Sequence, residues 1–365
     1  MKETSNTQRR TSNIELAPPS VFSVRGSMLS VQCLMFISLF IVSGCATKKT
    51  PGVALTAAPL VWPAPPESPR IVYSKSIRQP GDVGAKIGGF NRFANWMTGA
   101  EKGREQLLKP FGVALDELDN LCITDTGANA VCFYDQTKKK WMRWDRIGKL
   151  QFVSPVAIAK RNGVFFVADS ALAAIVVFDE NGKLVFQTTN HLERPSGLVI
   201  SGEQLFVADS QRHRIVVFDL RGKFLSEFGQ RGSKPGEFNF PTHVAADAEG
   251  NLFVTDSMNS RVQMLAHDGK FKSEIGSIGN ATGHFSRPKG VATDSFGHVY
   301  VIDALFDNIQ VFDRDGKLLL NWGGSGANPG EFWLPNGIAI TKNNEIYVAD
   351  SYNRRIQVFK YVGGQ

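Results

Sequence analysis

A short pattern recurs six times along the chain, and this repetition constrains the fold more than any other feature. Each copy opens with a proline and a short apolar segment, and successive copies begin 40 to 47 residues apart. The opening prolines are Pro110, Pro155, Pro195, Pro241, Pro288 and Pro335. Periods of about 20 to 50 residues are typical of stacked or ring-shaped arrays of like units. The chain is therefore predicted to be such an array.

Each complete copy reads as four short strands. The opening segment is followed by a second apolar segment ending in aspartate, a third one, a glycine-containing turn and a fourth. The aspartates are Asp125, Asp169, Asp209, Asp256, Asp303 and Asp350. Four short strands joined by turns form one propeller blade, so an all-β six-bladed β-propeller is predicted. An aspartate at a strand end can accept backbone N–H groups of the following turn, and a structural role is expected for all six.

Three of the units share a further signature after the aspartate. In the sixth unit Asp350-Ser351 is followed by Asn353 and then an arginine, and the third and fourth units keep that arginine. The three arginines are Arg214, Arg261 and Arg355. This pattern resembles the NHL repeat over about residues 107–365. The remaining units depart from it, with Ala130, Ala174 and Asn308 at the arginine position.

The sixth unit lacks a fourth strand, because the sequence ends soon after its third apolar segment. An open strand edge needs a partner. Residues 71–78 are strand-like and belong to no complete unit. They are predicted to be the outer strand of the last blade and to close the ring, an arrangement that the NHL resemblance also implies. The propeller domain is thus placed at 70–365.

The N-terminal region has the features of an export signal. Residues 28–44 contain no charged side chain and are followed by Cys45, and the small residues before this cysteine resemble a bacterial lipobox. Residues 1–45 are therefore interpreted as an export signal with lipidation at Cys45, the alternative being a plain membrane anchor. The proline-rich segment 46–69 is predicted to be an extended tether. The expected location is the bacterial cell envelope, lipid-anchored at the periplasmic face of the outer membrane or at the cell surface.

Two further features leave alternatives open. An insert at 81–106 carries Phe90, Phe93 and Trp96, which suit either a short helix packed on the rim or an aromatic contact with a membrane or partner. Cys122 and Cys132 lie on adjacent predicted strands and form either two buried thiols, the favoured reading, or a disulfide. The linkers between late units place one phenylalanine each at equivalent positions, where packing between blades is expected. These are Phe238, Phe285 and Phe332.

Composition argues against nucleic acid as a partner. The formal net charge is +7, but the 41 Lys and Arg residues are scattered among 34 Asp and Glu residues. The one basic run, Lys138 to Lys140, reads as a solvated turn, and no basic stripe is present. Export also counts against this class of partner.

No catalytic or metal-binding constellation is found in the sequence. Some NHL-like propellers are zinc lyases that use histidines directly after the blade-opening proline. The corresponding residues here are Phe111, Val156, Ser196, Thr242, Lys289 and Asn336, and none is histidine. His243 lies one place later, and a single histidine is a poor zinc site because three protein ligands are normally needed. No catalytic residue, metal or cofactor is predicted.

Residues that differ from repeat to repeat are the candidates for recognition, and they fall around the expected propeller mouth. The predicted ligand- or partner-binding residues are Ser196, Thr242, His243, Lys289, Asn336, Arg214, Arg261 and Arg355. The favoured function is a membrane-tethered, extracytoplasmic and non-catalytic propeller that binds a protein or another ligand. The alternative is a metal-dependent propeller hydrolase or lyase with its site at the central axis.

Overall fold

The computed structural model describes residues 58–85 and 105–363, which form a ring of six antiparallel sheets. Blade 1 consists of Pro110–Leu115, Leu121–Asp125, Ala130–Asp135 and Lys140–Trp144. Blade 2 consists of Pro155–Arg161, Val164–Asp169, Ala174–Asp179 and Leu184–Thr188. Blade 3 consists of Pro195–Ser201, Gln204–Asp209, Arg214–Asp219 and Phe224–Phe228.

The second half of the ring repeats this plan. Blade 4 consists of Pro241–Ala246, Leu252–Asp256, Arg261–Leu265 and Phe271–Ile275. Blade 5 consists of Pro288–Thr293, Val299–Asp303, Asn308–Phe312 and Leu318–Gly323. Blade 6 takes Pro335–Ile340, Glu345–Asp350 and Arg355–Tyr361 from its own repeat. The predicted all-β six-bladed propeller is confirmed.

Small elements join the blades. A two-residue hairpin, Arg146–Ile147 with Leu150–Gln151, connects blades 1 and 2. Short 3₁₀ helices occupy Pro80–Val83, Ser210–Arg212 and Ser257–Asn259. In every blade the opening proline pairs with the aspartate that ends the second strand, as Pro110 does with Asp125. These two positions define the end of the ring that we call the upper face.

The ring closes as the sequence predicts. Strand Ile71–Ile77 pairs antiparallel with Arg355–Tyr361, from Ile71 opposite Tyr361 to Ile77 opposite Ile356. Ile71 and Ile77 are fully buried, at 0% and 1% exposure. Because this strand completes blade 6, the last sheet joins the two ends of the propeller.

A fifth strand on blade 6 was not predicted. Val61–Trp62 pairs with the closing strand, and the Trp62 ring packs edge-on against Phe359 with centroids 5.8 Å apart. The predicted tether at 46–69 is therefore wrong for the residues from Val61 onward. The prolines exclude a helix or a central strand and favour an extended chain, but an edge strand tolerates flanking prolines because only one of its sides needs donors.

The apolar core is divided among the six junctions between blades. Each cluster of buried side chains combines residues of two neighbouring blades. Phe238, Phe285 and Phe332 are all 0% exposed, and Phe238 lies between Phe206 of blade 3 and Val254 of blade 4. The expected packing of these phenylalanines between blades is confirmed.

The recurring aspartates are structural, as predicted. All six are buried, at 0% or 1% exposure, and they accept backbone N–H groups. Asp125 accepts from Leu108 and Lys109 on the incoming linker, and also from Gly127 and Ala128 in the following turn. Every one of the six carboxylates thus fastens the linker that enters its blade, and those of Asp125, Asp169 and Asp303 also cap the following turn.

The two described cysteines are free, buried thiols. Cys132 lies opposite Ile123, so Cys122, one residue away, points to the other face of the sheet. They therefore pack in different junctions, which excludes the alternative of a disulfide between them. Burial raises the pKa of Cys132 to about 12 and that of Cys122 as well.

The export segment, Cys45 and the aromatic residues Phe90, Phe93 and Trp96 lie outside the described residues. Within residues 58–85 and 105–363, no helix has the length and apolar character needed to cross a bilayer.

Candidate functional site

A cavity of about 420 Å³ opens at the upper face, where the inner strands of the blades converge. Its apolar wall includes Phe111, Val156, Phe240 and Met258, contributed by blades 1, 2 and 4. Three cationic side chains also line it. They are Arg194, Arg287 and Lys289. We call this space the mouth cavity.

An interruption of the β-ladder turns side chains toward the mouth cavity. In blade 3 the register passes from Pro195 opposite Asp209 to Gly197 opposite Ala208, so that Ser196 has no partner residue. Every blade shows such a shift next to its opening proline. Bulges of this kind redirect a side chain, which explains why the residue after the proline faces the axis rather than the sheet.

The structure brings together four of the eight predicted site residues. Ser196, Thr242, His243 and Lys289 all line the mouth cavity. Asn336 occupies the equivalent position in blade 6, but it is buried and does not line this cavity. Whether the four residues bind a ligand stays a prediction.

The three recurring arginines lie elsewhere, at the upper end of the third strands, two strands out from the axis. Arg355 is 1% exposed and donates to Asp350 at 2.6 Å and to the carbonyls of Asn328 and Glu331. Arg261 makes the same kind of contacts, with Asp256 at 2.9 Å and Glu274 at 2.7 Å. Arg214 contacts Glu227 at 2.5 Å and the carbonyl of His191. Their donors hold linkers in place, and none of the three lines the mouth cavity.

Glycines form a narrow layer directly beneath the mouth cavity. A Cβ atom on Gly197 would lie 2.6 Å from the carbonyl oxygen of Thr242 in the next blade, and one on Gly337 would lie 2.5 Å from that of Phe111. Neighbouring inner strands therefore approach too closely for a side chain between them. A passage of only about 50 Å³ remains at this depth.

His243 interrupts this glycine layer. It stands in blade 4 where four other blades carry glycine and blade 2 carries Ala157. It lines both the mouth cavity and the narrow passage, so its side chain lies at the cavity floor. Neither ring nitrogen has a hydrogen-bond partner among the described residues, and both are shielded from solvent.

The electrostatics of the mouth cavity are one-sided. Burial, together with the nearby Lys289, lowers the pKa of His243 to about 3, so its ring is neutral at pH 7. Burial and the charges of Arg287 and Arg194 lower the pKa of Lys289 to about 8. No carboxylate is among the residues that line the mouth cavity in the described chain.

Most hydroxyl groups around the mouth cavity already serve the ring. Ser196 donates to the carbonyl of Pro241, and Ser257 donates to that of Pro288, each reaching the next blade. Ser351 donates to Pro110 in the same way, across the ring closure. Thr242 differs, because its Oγ1 has no partner among the described residues.

The opposite mouth of the ring contains acids as well as cations. A cavity of about 400 Å³ opens there, lined by Asp116, Glu117, Lys160 and Arg161 among others. Lys160 contacts Asp116 at 2.7 Å, and Arg161 lies 3.4 Å from Glu117. Two of its three lining cations are thus paired with acids of the neighbouring blade, and the third, Lys342, donates to the carbonyl of Glu117.

A metal site is not formed by the described residues. They contain no group of three His, Cys, Asp or Glu side chains placed to hold an ion. The mouth cavity offers one imidazole and three cationic side chains, and these cations would repel a metal ion.

Arg194, Arg287 and Phe240 were not predicted as lining residues. Each directly precedes the opening proline of its blade. The predicted site residues follow the proline, although the residues before it also vary between repeats and lie on the upper face. Comparing both flanks would have identified all three.

Comparisons with known proteins agree with this architecture. A family model described as "NHL repeat" matches residues 332–359, and one described as "6-bladed beta-propeller" matches residues 185–252. No curated protein sequence matches the chain.

Solved structures with the same architecture are distant in sequence. Virginiamycin B lyase from Staphylococcus aureus is 14% identical, with 70% of this chain and 96% of that chain covered and a TM-score of 0.52. Hydrazine synthase of Kuenenia stuttgartiensis has the same identity, coverage and TM-score. A protein of unknown function from Bacteroides thetaiotaomicron is 13% identical over 70% of each chain, with a TM-score of 0.54. At such identities the likeness shows the fold alone.

Proposed function

Since the chain is a six-bladed β-propeller with NHL-type repeats, we propose that it is a non-catalytic binding module whose ligand or partner occupies the mouth cavity. One observation carries this proposal. Side chains that differ from blade to blade converge on a single cavity at the end of the ring, while the residues that recur are engaged in holding the blades together. A repetitive scaffold with one irregular cavity is suited to recognition.

The chemistry of the mouth cavity supports binding rather than turnover. Acid and base catalysis by side chains needs a group that can take up and release a proton near neutral pH. The His243 ring, with its pKa lowered to about 3, stays neutral, and no carboxylate or thiol lines the cavity in the described chain. Lys289, with its pKa lowered to about 8, is the one described lining side chain that titrates near neutral pH, and no second acid or base of this kind lines the cavity beside it. The metal-dependent hydrolase or lyase would need a donor set that these residues do not supply.

The proposal places the propeller outside the cytoplasm, attached to a bacterial membrane through a lipidated Cys45. The support is the uncharged segment 28–44 followed by that cysteine. A tether of this kind would keep the propeller at the membrane surface while its mouth binds a partner or ligand.

Site-specific photocross-linking in cells tests where a partner binds. Benzoylphenylalanine at Met258, which lines the mouth cavity and is 56% exposed, is expected to form a discrete adduct on the full-length protein. The matched control is the same probe at Phe296, 38% exposed in a turn of the opposite face. The adduct should disappear when Thr242→Trp fills the mouth cavity.

Two results would contradict the proposal. Equal adducts from both faces, unaffected by Thr242→Trp, would show that the mouth cavity is not the site. Stoichiometric zinc or calcium in the purified full-length protein, with an activity that chelation removes, would favour the enzyme instead.

A further inference from the structure

The three cations of the mouth cavity lack the partners that other cations of this protein have. Arg194, Arg287 and Lys289 form no ion pair with any described carboxylate, whereas Arg261 and Arg355 are each paired with a buried aspartate. The guanidinium groups are exposed, but Lys289 is half-buried and its charge is disfavoured by both arginines. A bound anion would relieve this repulsion and compensate for the desolvation of the lysine.

The same cavity has an apolar wall, which indicates that an inorganic ion alone would leave it unfilled. Phe111 of blade 1 and Phe240 and Met258 of blade 4 face the same space. Aromatic side chains contribute large contact areas, and methionine adapts to irregular shapes. The volume of about 420 Å³ lies within the range of cavities that hold organic ligands.

The floor adds neutral hydrogen-bonding groups. His243 has two free ring nitrogens, one of which donates and the other accepts when the ring is neutral. Thr242 Oγ1 is also free among the described residues. A polar group on the buried end of a ligand would satisfy these atoms, which otherwise cost free energy by being shielded without a partner.

We propose that the mouth cavity binds a small organic anion, with its carboxylate or phosphate paired by Lys289, Arg287 and Arg194 and its apolar body packed against Phe111 and Phe240. This inference rests on the proposed function and names the ligand class. The opposite mouth serves as an internal comparison, because two of its three lining cations are already paired with acids and it is expected to leave such an anion unbound.

The probes are naphthalene-2-carboxylate and naphthalene-2-carboxamide, which share their rings and differ in charge. Isothermal titration of the full-length protein is expected to show one carboxylate bound per chain and an affinity for the amide at least about tenfold lower, since hydrogen bonds to charged groups are the stronger ones. Lys289→Gln should weaken carboxylate binding about tenfold and leave amide binding unchanged. Lys342→Gln, the same charge change at the opposite mouth, should affect neither probe.

The outcomes separate this inference from the proposed function. Equal binding of the two probes, an unchanged carboxylate affinity in Lys289→Gln, or failure of the wild-type protein to bind the carboxylate would each overturn the anion assignment. Adducts at Met258 that Thr242→Trp abolishes would then still support binding at the mouth. Thermal melting of each variant at the wild-type temperature serves as the check that a change in affinity is not caused by misfolding.

Discussion

Lys289 lies near two arginines and has no carboxylate partner among the described residues, so the anion affinity of the mouth cavity is expected to depend on pH. The pKa of Lys289 is lowered to about 8, because burial and the charges of Arg287 and Arg194 all disfavour its protonated form. An anion favours that protonated form. Binding of an anion and binding of a proton by Lys289 are therefore thermodynamically linked.

The affinity for naphthalene-2-carboxylate is expected to be constant from about pH 6 to pH 7 and to fall as the pH rises through 8, where Lys289 loses its proton. At pH 9.5 the wild-type protein should approach the affinity of Lys289→Gln. Titrations at a series of pH values measure this, with Lys289→Gln as the control whose affinity should stay flat. A wild-type profile as flat as that of the variant would contradict a role for this amine.

The sequence allowed a correct role to be assigned to side chains that recur in every blade, but not to those that recur in only some of them. The six aspartates recur in register, and their structural role was predictable from that fact. Arg214, Arg261 and Arg355 recur in three blades only and were grouped with the mouth, although they hold linkers in place. Their contacts are with residues about 25 positions away in the chain, a pairing that no local pattern reveals.

At the scale of elements, the closing strand is the part whose loss should matter most. Ile71 and Ile77 bury their side chains completely between blade 6 and its neighbours. Two such side chains contribute roughly 3 to 6 kcal/mol through burial alone. Without this strand the edge of Arg355–Tyr361 would also be unpaired.

A chain that starts at Gly81 is expected to aggregate or to melt more than about 6 °C below one that starts at Ala58, as the lost burial implies. Both lack the N-terminal segment, so the difference reports on strands Val61–Trp62 and Ile71–Ile77. Thermal denaturation followed by circular dichroism provides the comparison. Equal melting temperatures would show that the ring does not depend on its closing strand.

The strands of the propeller were predictable because each repeat presents the same apolar periods and turn residues. The closing strand was predictable because the last repeat contains only three strands, so its outer edge needs a partner strand. Strand Val61–Trp62 was not predicted, because the prolines around it are typical of an extended tether. Its role as an outer strand of blade 6 is visible only from the packing of Trp62 against Phe359 and Gly330. Such a contact depends on blade 6 being already in place.

For the molecule as a whole, the attachment through Cys45 is the proposal with the simplest test. Cys45→Ser removes the thiol that acyl transfer requires, so the variant is expected to be unlipidated and to leave the membrane fraction. Phase partition in detergent together with mass spectrometry of the N-terminus measures this. Retention of the variant in the detergent phase, with a normally processed N-terminus, would favour a plain membrane anchor.

The two faces of the ring differ in their connections and in their charges. The linkers lie on the upper face because the first strand of each blade begins there. Turns at the lower face are short, and two of the three cations that line its cavity are paired with acids. The upper face carries the long linkers between blades and the unpaired cations. The sequence predicts a mouth lined by residues that differ between blades. It does not predict the charge balance of that mouth, because this depends on which side chains of neighbouring blades are in contact.

The pairing of Ile71–Ile77 with Arg355–Tyr361 also determines when the ring can close during synthesis. During synthesis the closing strand is made before any blade, and its partner is made after all the others. Five blades can stack on one another as they emerge, because each contacts only its neighbours. The first strand must wait until nearly the whole propeller has been translated. A chain truncated before residue 355 would therefore have both ends of the ring open, with Ile71–Ile77 lacking its partner strand.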